Sequence, residues 1–136
     1  MTTTLAALTN HQVRLAARPE GLPKASDWQH SSEPVSEPDD GGVLVKTLVL
    51  SLDPAMRGWM NEGKSYIPPV GIGEVMRAGG VGVVVASKNA AFKAGDFVSV
   101  GTGVQEYALF AADQIKRSGM FKVDTRLGSL SQWMNV

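Results

Sequence analysis

The stretch "VLVKTLVLSL", residues 43 to 52, decides how the rest of the chain is interpreted. It is rich in β-branched residues and almost entirely apolar, and such a run is typical of a strand that is covered on both faces. The chain then changes character, because "DPAMRGWM" follows at residues 53 to 60 and opens with an Asp-Pro turn signal. Loops that follow a rigid, buried strand often carry functional side chains. We therefore expect functional side chains in the loop directly after this strand.

Short β-like runs continue on both sides of the central strand. Upstream, "HQVRLAA" at residues 11 to 17 alternates Val13, Leu15 and Ala17 with polar residues, which predicts a strand with one wet face. Residues 24 to 42 are rich in Ser, Pro, Asp and Gly, which predicts a loop with an extended or weakly stranded path. Downstream lie three further runs: "GEVMRAGGVGVVVASKN", "GDFVSVGTG" and "VQEYALFAADQIKR". Strands of this spacing, with no long helix, indicate a barrel or a sandwich.

Glycines punctuate the chain, and their positions favour a structural role. Gly79, Gly80 and Gly82 lie where a strand begins, and glycines there commonly permit a strong bend or a close backbone approach. A dinucleotide-binding fingerprint needs Gly-x-Gly-x-x-Gly between a strand and a helix. None of the Gly-x-Gly pairs has the third glycine. We therefore expect no Rossmann unit within these residues.

Composition excludes several classes of function. The 136 residues contain no cysteine and carry a formal net charge of zero, so disulfides, thiolate catalysis and cysteine-bearing metal sites are excluded. Nothing draws the molecule electrostatically to nucleic acid or to a membrane surface. The two histidines, His11 and His30, do not form a close pair of metal ligands, and we expect no metal site. No membrane span or export signal is expected, which favours a cytoplasmic location.

The last ten residues, "LGSLSQWMNV", have the pattern of a helix that has just begun. Ser129 or Ser131 is placed to cap it, and Leu130, Trp133 and Met134 start an apolar stripe. So short a helix is not stable alone in water. We expect Trp133 to lack a partner within this chain, and the chain to be a piece of a longer protein.

The loop after the central strand holds the candidate functional side chains Asp53, Arg57 and Tyr66. A purely structural interpretation is also available. In it, Asp53 starts a turn, Arg57 pairs with an acidic residue, and Tyr66 packs on the Pro-Pro pair at residues 68 and 69. Composition alone leaves both interpretations open.

Three segments resemble the amino-terminal domain of the zinc-independent medium-chain dehydrogenases/reductases: "LSLDPAMRGWM", "SYIPPVGIGEVMRAGGVGVVVASKNAAFKAGDFVSV" and "GVQEYALF". The branch they resemble contains alkenal and alkenone double-bond reductases, prostaglandin and leukotriene reductases and a bacterial curcumin reductase. The resemblance implies a mainly β fold, a GroES-like β-barrel over residues 1 to 126. Residues 127 to 136 would start the linker helix toward a Rossmann domain that is absent from this chain.

The resemblance also implies an activity for the longer protein. Members of this branch reduce the activated C=C bond of a small-molecule enone or enal by hydride transfer from NADPH, which the missing domain mainly holds. The full-length protein is then expected to be a homodimer, and this fragment to be inactive alone and to self-associate. A quinone reductase of the same superfamily and a non-catalytic GroES-like interaction module are the alternatives.

The resemblance gives expected roles to particular residues. Tyr66 is the expected catalytic donor to the substrate oxygen, and Arg57 either lines the cleft or ties its loop to Glu74 or Glu106. Two positions depart from the family pattern, because Ala55 and Val104 stand where aromatic residues are frequent. The residues expected to line the cleft are Asp53, Pro54, Met56, Arg57, Pro68, Gly73, Glu74 and Gln105.

Overall fold

The computed structural model describes residues 7–63 and 67–133. Strands predominate in this part of the chain, and the helices are short. The strands are β1 (Thr9–Leu15), β2 (Trp28–Pro34), β3 (Val43–Leu50), β4 (Gly79–Ser87), β5 (Phe97–Gly101), β6 (Tyr107–Phe110) and β7 (Phe121–Lys122). The helices are α1 (Ala55–Trp59), α2 (Ala112–Ser118) and α3 (Leu130–Trp133), and a 3-10 turn spans Ala25–Asp27.

The strands form two sheets that meet along β1. Five strands lie in the order β6-β3-β4-β5-β7, every neighbouring pair antiparallel, and β1 and β2 form a separate antiparallel pair. Isolated bridges from Gln12 to Gln105 and from Arg14 to Val75 join β1 to the segments that precede β4 and β6. The result is a mainly β, partly open barrel, which is one of the two architectures, barrel or sandwich, that the spacing of the runs predicts.

Two apolar clusters fill the fold. The first lies under the large sheet and is built from its valines, with Ile115 and Met120 added from the α2 region; its sheet members are Val43, Val45, Val84, Val98 and Val100. The second lies where β1 meets the segment after α1, and it contains Leu15, Met60, Val70 and Met76. The second cluster supports the loop that follows β3, because Met56 and Trp59 of α1 pack against it.

Strand β3 is covered on both faces only over its first half. Val43, Leu44 and Val45 are fully buried, whereas Lys46 is exposed and Leu48 is 43% exposed. The expectation of complete cover is therefore wrong for the second half. The physical reason is that β6 accompanies β3 only as far as Lys46, so one flank of the remaining strand has no neighbour.

Strand β1 differs from its expected pattern, because its polar face is buried. Asn10 and Gln12 are buried and both donate to the Gln105 side-chain oxygen, at 3.0 and 3.2 Å. The expected wet face is wrong, since these amides point at another strand segment. Strand β2 pairs with β1 over its full length and carries His30, so the region expected to be mostly loop contains a regular strand.

The run "VQEYALFAADQIKR" is not one strand. It contains β6 and then α2, a helix that the sequence analysis did not predict. The Gln114 side-chain oxygen accepts the backbone N–H of Ala111 at 2.8 Å, which satisfies a free donor at the helix start. Gly119, with φ at +70°, follows the last turn in the left-handed conformation that commonly ends helices.

The carboxyl-terminal helix α3 is capped as expected, by the Ser129 hydroxyl, which accepts the Gln132 N–H at 3.3 Å. Trp133 nevertheless has partners in this chain. Its indole N–H donates to the Asp124 carbonyl at 3.1 Å, and its ring lies edge-on to Phe121 with centroids 6.4 Å apart. The expectation that Trp133 lacks a partner is therefore wrong. Met134 lies outside the described residues.

The glycines of β4 permit the close approach that the sequence predicts. A Cβ at Gly80 would lie 2.5 Å from the Thr102 hydroxyl oxygen, and a Cβ at Gly82 would collide with the Lys46 carbonyl oxygen. Register shifts occur in β3 at the same level, between Thr47 and Val49. These glycines therefore let β4 stay paired with β3 while the sheet bends.

A Gly82→Ala substitution is expected to destabilise the fold by about 1–3 kcal/mol, because the added methyl overpacks a backbone contact. Gly79→Ala is the matched control in the same strand, since the nearest neighbour of its Cβ is 4.0 Å away. Urea denaturation followed by tryptophan fluorescence measures both. Equal midpoints for the two variants would contradict the proposed contact.

Candidate functional site

The loop after β3 is a compact turn that leads into α1. The Ser51 hydroxyl donates to the Asp53 carboxylate at 2.9 Å, and the Asp53 carbonyl accepts the Met56 N–H at 3.0 Å. The Asp53 N–H lies 3.3 Å from the Met56 sulfur. Asp53 and Pro54 are exposed, whereas Met56 is half-buried. The turn thus presents its first residues to solvent and anchors its last ones in the second apolar cluster.

Arg57 ties this loop to a distant segment of the chain. Its guanidinium donates to the carbonyls of Pro19 and Gly21 at 2.9 and 3.0 Å, and to the Asn61 side-chain oxygen at 2.6 Å. Neither Glu74 nor Glu106 pairs with it, so that part of the expectation is wrong. Arg57 is instead shared among backbone carbonyls, which fixes α1 against the turn at residues 19 to 21.

A buried carboxylate lies next to the same turn. Asp27 is only 1% exposed and accepts the backbone N–H of Lys24 at 3.0 Å. This hydrogen bond lowers the pKa of the Asp27 carboxyl, burial works against it, and the Lys24 ammonium and the Arg57 guanidinium lower the pKa further. Arg57 therefore affects this segment in two ways. It donates hydrogen bonds to the turn at residues 19 to 21, and its charge lowers the pKa of Asp27.

The segment that precedes β4 packs against the end of α1. Arg77 donates to the Pro68 carbonyl at 2.7 Å, and its guanidinium lies 5.4 Å from the centre of the Trp59 ring. The Val70 N–H donates to the Trp59 carbonyl at 2.9 Å. Pro68 is thereby linked, through Arg77, to the end of α1.

Gly73 and Glu74 form hydrogen bonds within one turn and with β1. Gly73, with φ at +88°, donates its N–H to the Leu15 carbonyl at 2.7 Å, and its own carbonyl accepts from Arg14 at 2.8 Å. The Glu74 carboxylate accepts the Gly71 N–H at 2.6 Å. These two residues close a turn against β1.

Gln105 lies in a different part of the barrel. Its oxygen accepts from Asn10 and Gln12, and its amide donates to the Thr102 carbonyl at 2.8 Å. All of these partners belong to the junction of β1 with the barrel. Of the predicted residues, Pro68 is linked to the end of α1 through Arg77, whereas the hydrogen bonds of Gln105 are made with β1 and with Thr102. Tyr66 lies outside the described residues.

A groove of about 450 Å³ opens between β1 and the second half of β3. We call it the β1–β3 groove. The resemblance places Val104 and Gln105 at the expected cleft, and no sequence signal predicts a separate groove here. Leu48 and Leu50 carried no signal, because the run that contains them is uniformly apolar. The lining residues are His11, Gln12, Val13, His30, Ser31, Thr47, Leu48, Leu50, Val104, Gln105 and Glu106.

Two hydrogen-bonded side chains stand at the edge of this groove. His11 Nδ1 lies 3.0 Å from a carboxylate oxygen of Glu106, and both side chains are more than half exposed. The hydrogen bond from the His11 side chain lowers the pKa of the Glu106 carboxyl, against a smaller opposing effect of burial. Nδ1 is thus the imidazole nitrogen that faces the carboxylate.

Within residues 7–63 and 67–133, no three His, Asp or Glu side chains converge so that they could hold a metal ion. In the same ranges no helix has the length and apolar character that crossing a membrane requires.

Comparison with known proteins places the chain in a class. It belongs to the family described as the N-terminal domain of oxidoreductase, whose model matches residues 11–118. This agrees with the resemblance noted in the sequence and with the barrel, and the expected GroES-like fold is confirmed.

Particular relatives narrow the class. The chain is 40% identical over 110 residues to an NADPH-dependent curcumin reductase of Escherichia coli, which covers 81% of this chain and 32% of that protein. It is 32% identical over 134 residues to the NADP-dependent 2-alkenal reductase of Nicotiana tabacum, covering 95% of this chain and 38% of the relative. This chain therefore spans about a third of the length of the relatives it matches.

A solved structure matches as well. CurA from Vibrio vulnificus superposes with a TM-score of 0.72 at 46% identity, over 74% of this chain and 30% of that protein. The same protein has also been solved in complex with NADPH, and that structure matches with a TM-score of 0.71.

Arg57→Met is expected to lower stability by about 1.5–3 kcal/mol, because carbonyls that accept from a charged donor lose it. Hydrogen exchange measured by mass spectrometry should speed up in two segments together, residues 19 to 22 and 53 to 61. Arg117→Met is the matched control. Arg117 pairs on the surface with Asp113, both side chains being 74% exposed, and its loss should cost less than about 0.5 kcal/mol. An unchanged exchange rate in residues 19 to 22 of Arg57→Met would show that Arg57 does not fix this turn against α1.

His11→Leu is expected to raise the pKa of Glu106 toward its ordinary value, as measured by NMR titration of the side-chain carboxyl. Because the folded state lowers the pKa of Glu106, its hydrogen bond with His11 contributes stability above the pKa of the unfolded chain. That contribution is lost as the pH falls through the lowered, folded value. His30→Leu, which removes the other imidazole at the groove, should leave the pKa of Glu106 unchanged. An ordinary Glu106 pKa in the unsubstituted protein would disprove the pairing.

Proposed function

We propose that this chain is the substrate-side domain of an NADPH-dependent oxidoreductase that reduces the activated C=C bond of enones and enals by hydride transfer. The observation that carries the proposal is the exposed turn at residues 52 to 55 that leads into α1, which we call the rim. It is the segment "DPAMRG" that gives the chain its resemblance to double-bond reductases. The named activities of the relatives from E. coli and N. tabacum support the same reaction class.

The exposed rim is suited to a flat, uncharged ring. Leu52 is 81% exposed, Pro54 and Ala55 are exposed, and Ala55 has only a methyl group. The charges nearby are occupied, since Asp53 accepts from Ser51 and Arg57 donates to backbone carbonyls. These residues fit a nicotinamide ring and offer no cluster of donors for phosphates. NADPH would therefore be held mainly by residues beyond this barrel, and when bound it supplies the hydride.

The remaining chemistry belongs to side chains of this chain. As the β-carbon of an enone is reduced, negative charge develops on the carbonyl oxygen. A neutral hydroxyl donor stabilises such an oxygen best where water is excluded. We assign this role to Tyr66, whose phenol both donates a hydrogen bond and offers an aromatic face. Met56 and Pro68 would flank the substrate, and Arg57 would hold the loop in place through its hydrogen bonds.

The test uses the full-length protein that contains this domain. NADPH oxidation is measured with a hydroxyaryl enone, a 2-alkenal, a quinone and a saturated ketone, and products are identified by mass spectrometry. Deuteride from labelled NADPH should appear on the β-carbon of the saturated product. Turnover of the quinone alone would favour a quinone reductase. NADPH binding without reduction of any of these compounds would refute the reaction class.

Tyr66→Phe is expected to lower kcat by about 10²–10⁴-fold, the usual loss when a positioned proton donor is removed. The dissociation constant for NADPH, measured by fluorescence, should stay the same because the ring is kept. Tyr107→Phe is the control, since this hydroxyl is not assigned to the site. An unchanged kcat in the Tyr66 variant would assign proton donation to water or to another residue.

A further inference from the structure

We propose that Arg77 is a positioning residue for the reaction, because it holds the backbone at Pro68 in a fixed place against α1. The inference rests on the proposed function, in which Met56 and Pro68 flank the substrate. Arg77 is not among the residues that the resemblance places at the cleft. Its contacts are with the protein, so it acts through the residues that it holds and not on the substrate directly.

The Pro68-Pro69 pair can be held only by its carbonyl groups. Proline has no backbone N–H, so neither residue can donate to a neighbouring strand or helix. The Pro68 carbonyl accepts from the guanidinium Nη2 of Arg77 at 2.7 Å. Further along the chain, the Val70 N–H donates to the Trp59 carbonyl at 2.9 Å. Arg77 thus supplies at Pro68 a hydrogen bond that regular backbone pairing cannot supply there.

The same guanidinium also lies over a side chain of α1. Its central carbon is 5.4 Å from the centre of the Trp59 ring, within the range of a cation–π contact. Trp59 packs against the second apolar cluster, as Met56 does. Because a guanidinium is planar, it can stack on a ring and donate from its edge at the same time. One side chain therefore joins Pro68 to the helix that carries Met56.

The placement of Arg77 is unfavourable for stability in one respect. Its other terminal nitrogen, Nη1, is buried and has no hydrogen-bond partner among the described residues. Within residues 7–63 and 67–133, no acidic side chain forms an ion pair with it either. Burying part of a charged group without a partner costs free energy. Unsatisfied buried polar atoms are uncommon in native proteins and call for a reason, and a role in the reaction supplies one.

Arg18 shows how a structural tether in the same region differs. Its guanidinium donates to the carbonyls of Met60 and Val70, at 2.8 and 3.1 Å. Both acceptors belong to buried residues, so water would reach these carbonyls poorly if the donor were lost. Pro68, in contrast, is exposed, and water can replace Arg77 at its carbonyl. The loss of Arg77 should therefore disturb the position of Pro68 more than it lowers stability.

A shift of Pro68 would affect the chemical step. Hydride transfer requires the reacting carbons to approach within about 3–3.5 Å, and a misplacement of about 1 Å can lower the rate by about 10²-fold. Pro68 also follows the assigned donor, Tyr66, by two residues in the sequence. NADPH is held mainly by residues beyond the barrel in the proposed function. We therefore expect the effect of Arg77 in kcat and not in the affinity for NADPH.

The experiment compares Arg77→Met with Arg117→Met in the full-length protein. Methionine keeps an unbranched apolar stem and removes the charge and the donors. With an enone as substrate, kcat of Arg77→Met should fall by about tenfold to hundredfold. Its dissociation constant for NADPH should stay the same, and its melting temperature should change by less than about 2 °C. Arg117, which is 74% exposed on α2, is the matched control, and its substitution should leave all three quantities unchanged.

Two further variants and a spectroscopic measurement separate positioning from a general loss of structure. Arg77→Lys keeps the charge and a donor, so it should recover part of the lost kcat. Arg77→Gln keeps a neutral donor and covers the case in which Arg77→Met fails to fold. The contact itself is followed by fluorine NMR of protein labelled with fluorotryptophan, in which Trp59→Phe assigns the Trp59 signal. This signal should shift in Arg77→Met and stay in place in Arg117→Met.

The outcomes distinguish this inference from the proposed function. An unchanged kcat in a folded Arg77 variant, in a protein that reduces enones, would overturn the inference and leave the proposed function intact. A lowered melting temperature with an unchanged kcat per folded molecule would also overturn it, because Arg77 would then be structural only. A Trp59 signal that does not move would overturn the contact on which it depends. An unsubstituted protein that reduces no enone would refute the proposed function and this inference together.

Discussion

Strand β3 has hydrogen-bonded neighbours on both sides only as far as Thr47, and the working parts of the molecule depend on this limit. Before it, Val43 and Val45 are enclosed by β4, β6 and the apolar core. After it, the strand keeps β4 alone, bends, and ends in the turn at Asp53. One strand therefore serves first as the centre of the fold and then as the support of an open rim and groove.

Polar contacts, rather than apolar ones, close the barrel on its other side. Asn10 and Gln12 meet Gln105 across the gap between the two sheets, and Arg14 and Ser31 extend the network by hydrogen-bonding the Gln12 oxygen. Buried amides of this kind are costly if they lose a partner. They fix the register of β1 against the segment before β6, because a shift by one residue would leave several of them unpaired. The walls of the β1–β3 groove are held apart by this register.

Sequence reasoning reached the parts of the fold that short-range patterns encode. The apolar run of β3, the glycines at the corner of β4 and the turn after Leu50 all have local signatures, and the structure confirms them. The resemblance supplied the barrel itself. The burial of Asn10 was not predicted, since its partner Gln105 lies 95 residues away and periodicity reports only that a residue is polar.

Other features escaped for related reasons. Helix α2 has a single buried residue, Ile115, so its apolar stripe is too short to show a helical period. The groove forms where β3 continues beyond its pairing with β6. No property of Leu48 or Thr47 in the sequence predicts where this pairing ends. Of the candidate site, the sequence indicated the loop and its side chains but not their partners, and Arg57 shows the difference. Its guanidinium donates to backbone carbonyls. Every residue has such a carbonyl, so the sequence does not indicate which ones accept.

The hydrogen-bond partners of the charged side chains near the rim affect the chemistry that the rim can support. Arg57 is shared among carbonyls, the Glu74 carboxylate accepts a backbone N–H, and Arg77 lies over the Trp59 ring while it donates to Pro68. Each charge is thus turned toward the protein, and the surface offered to a ligand is formed by exposed residues such as Leu52 and Pro54. An apolar surface strengthens any hydrogen bond made to a developing oxyanion, because less water competes for it. A rim of this kind suits a neutral hydroxyl donor better than a charged acid, which supports the proposed assignment of a phenol, rather than a carboxyl group, to the donor.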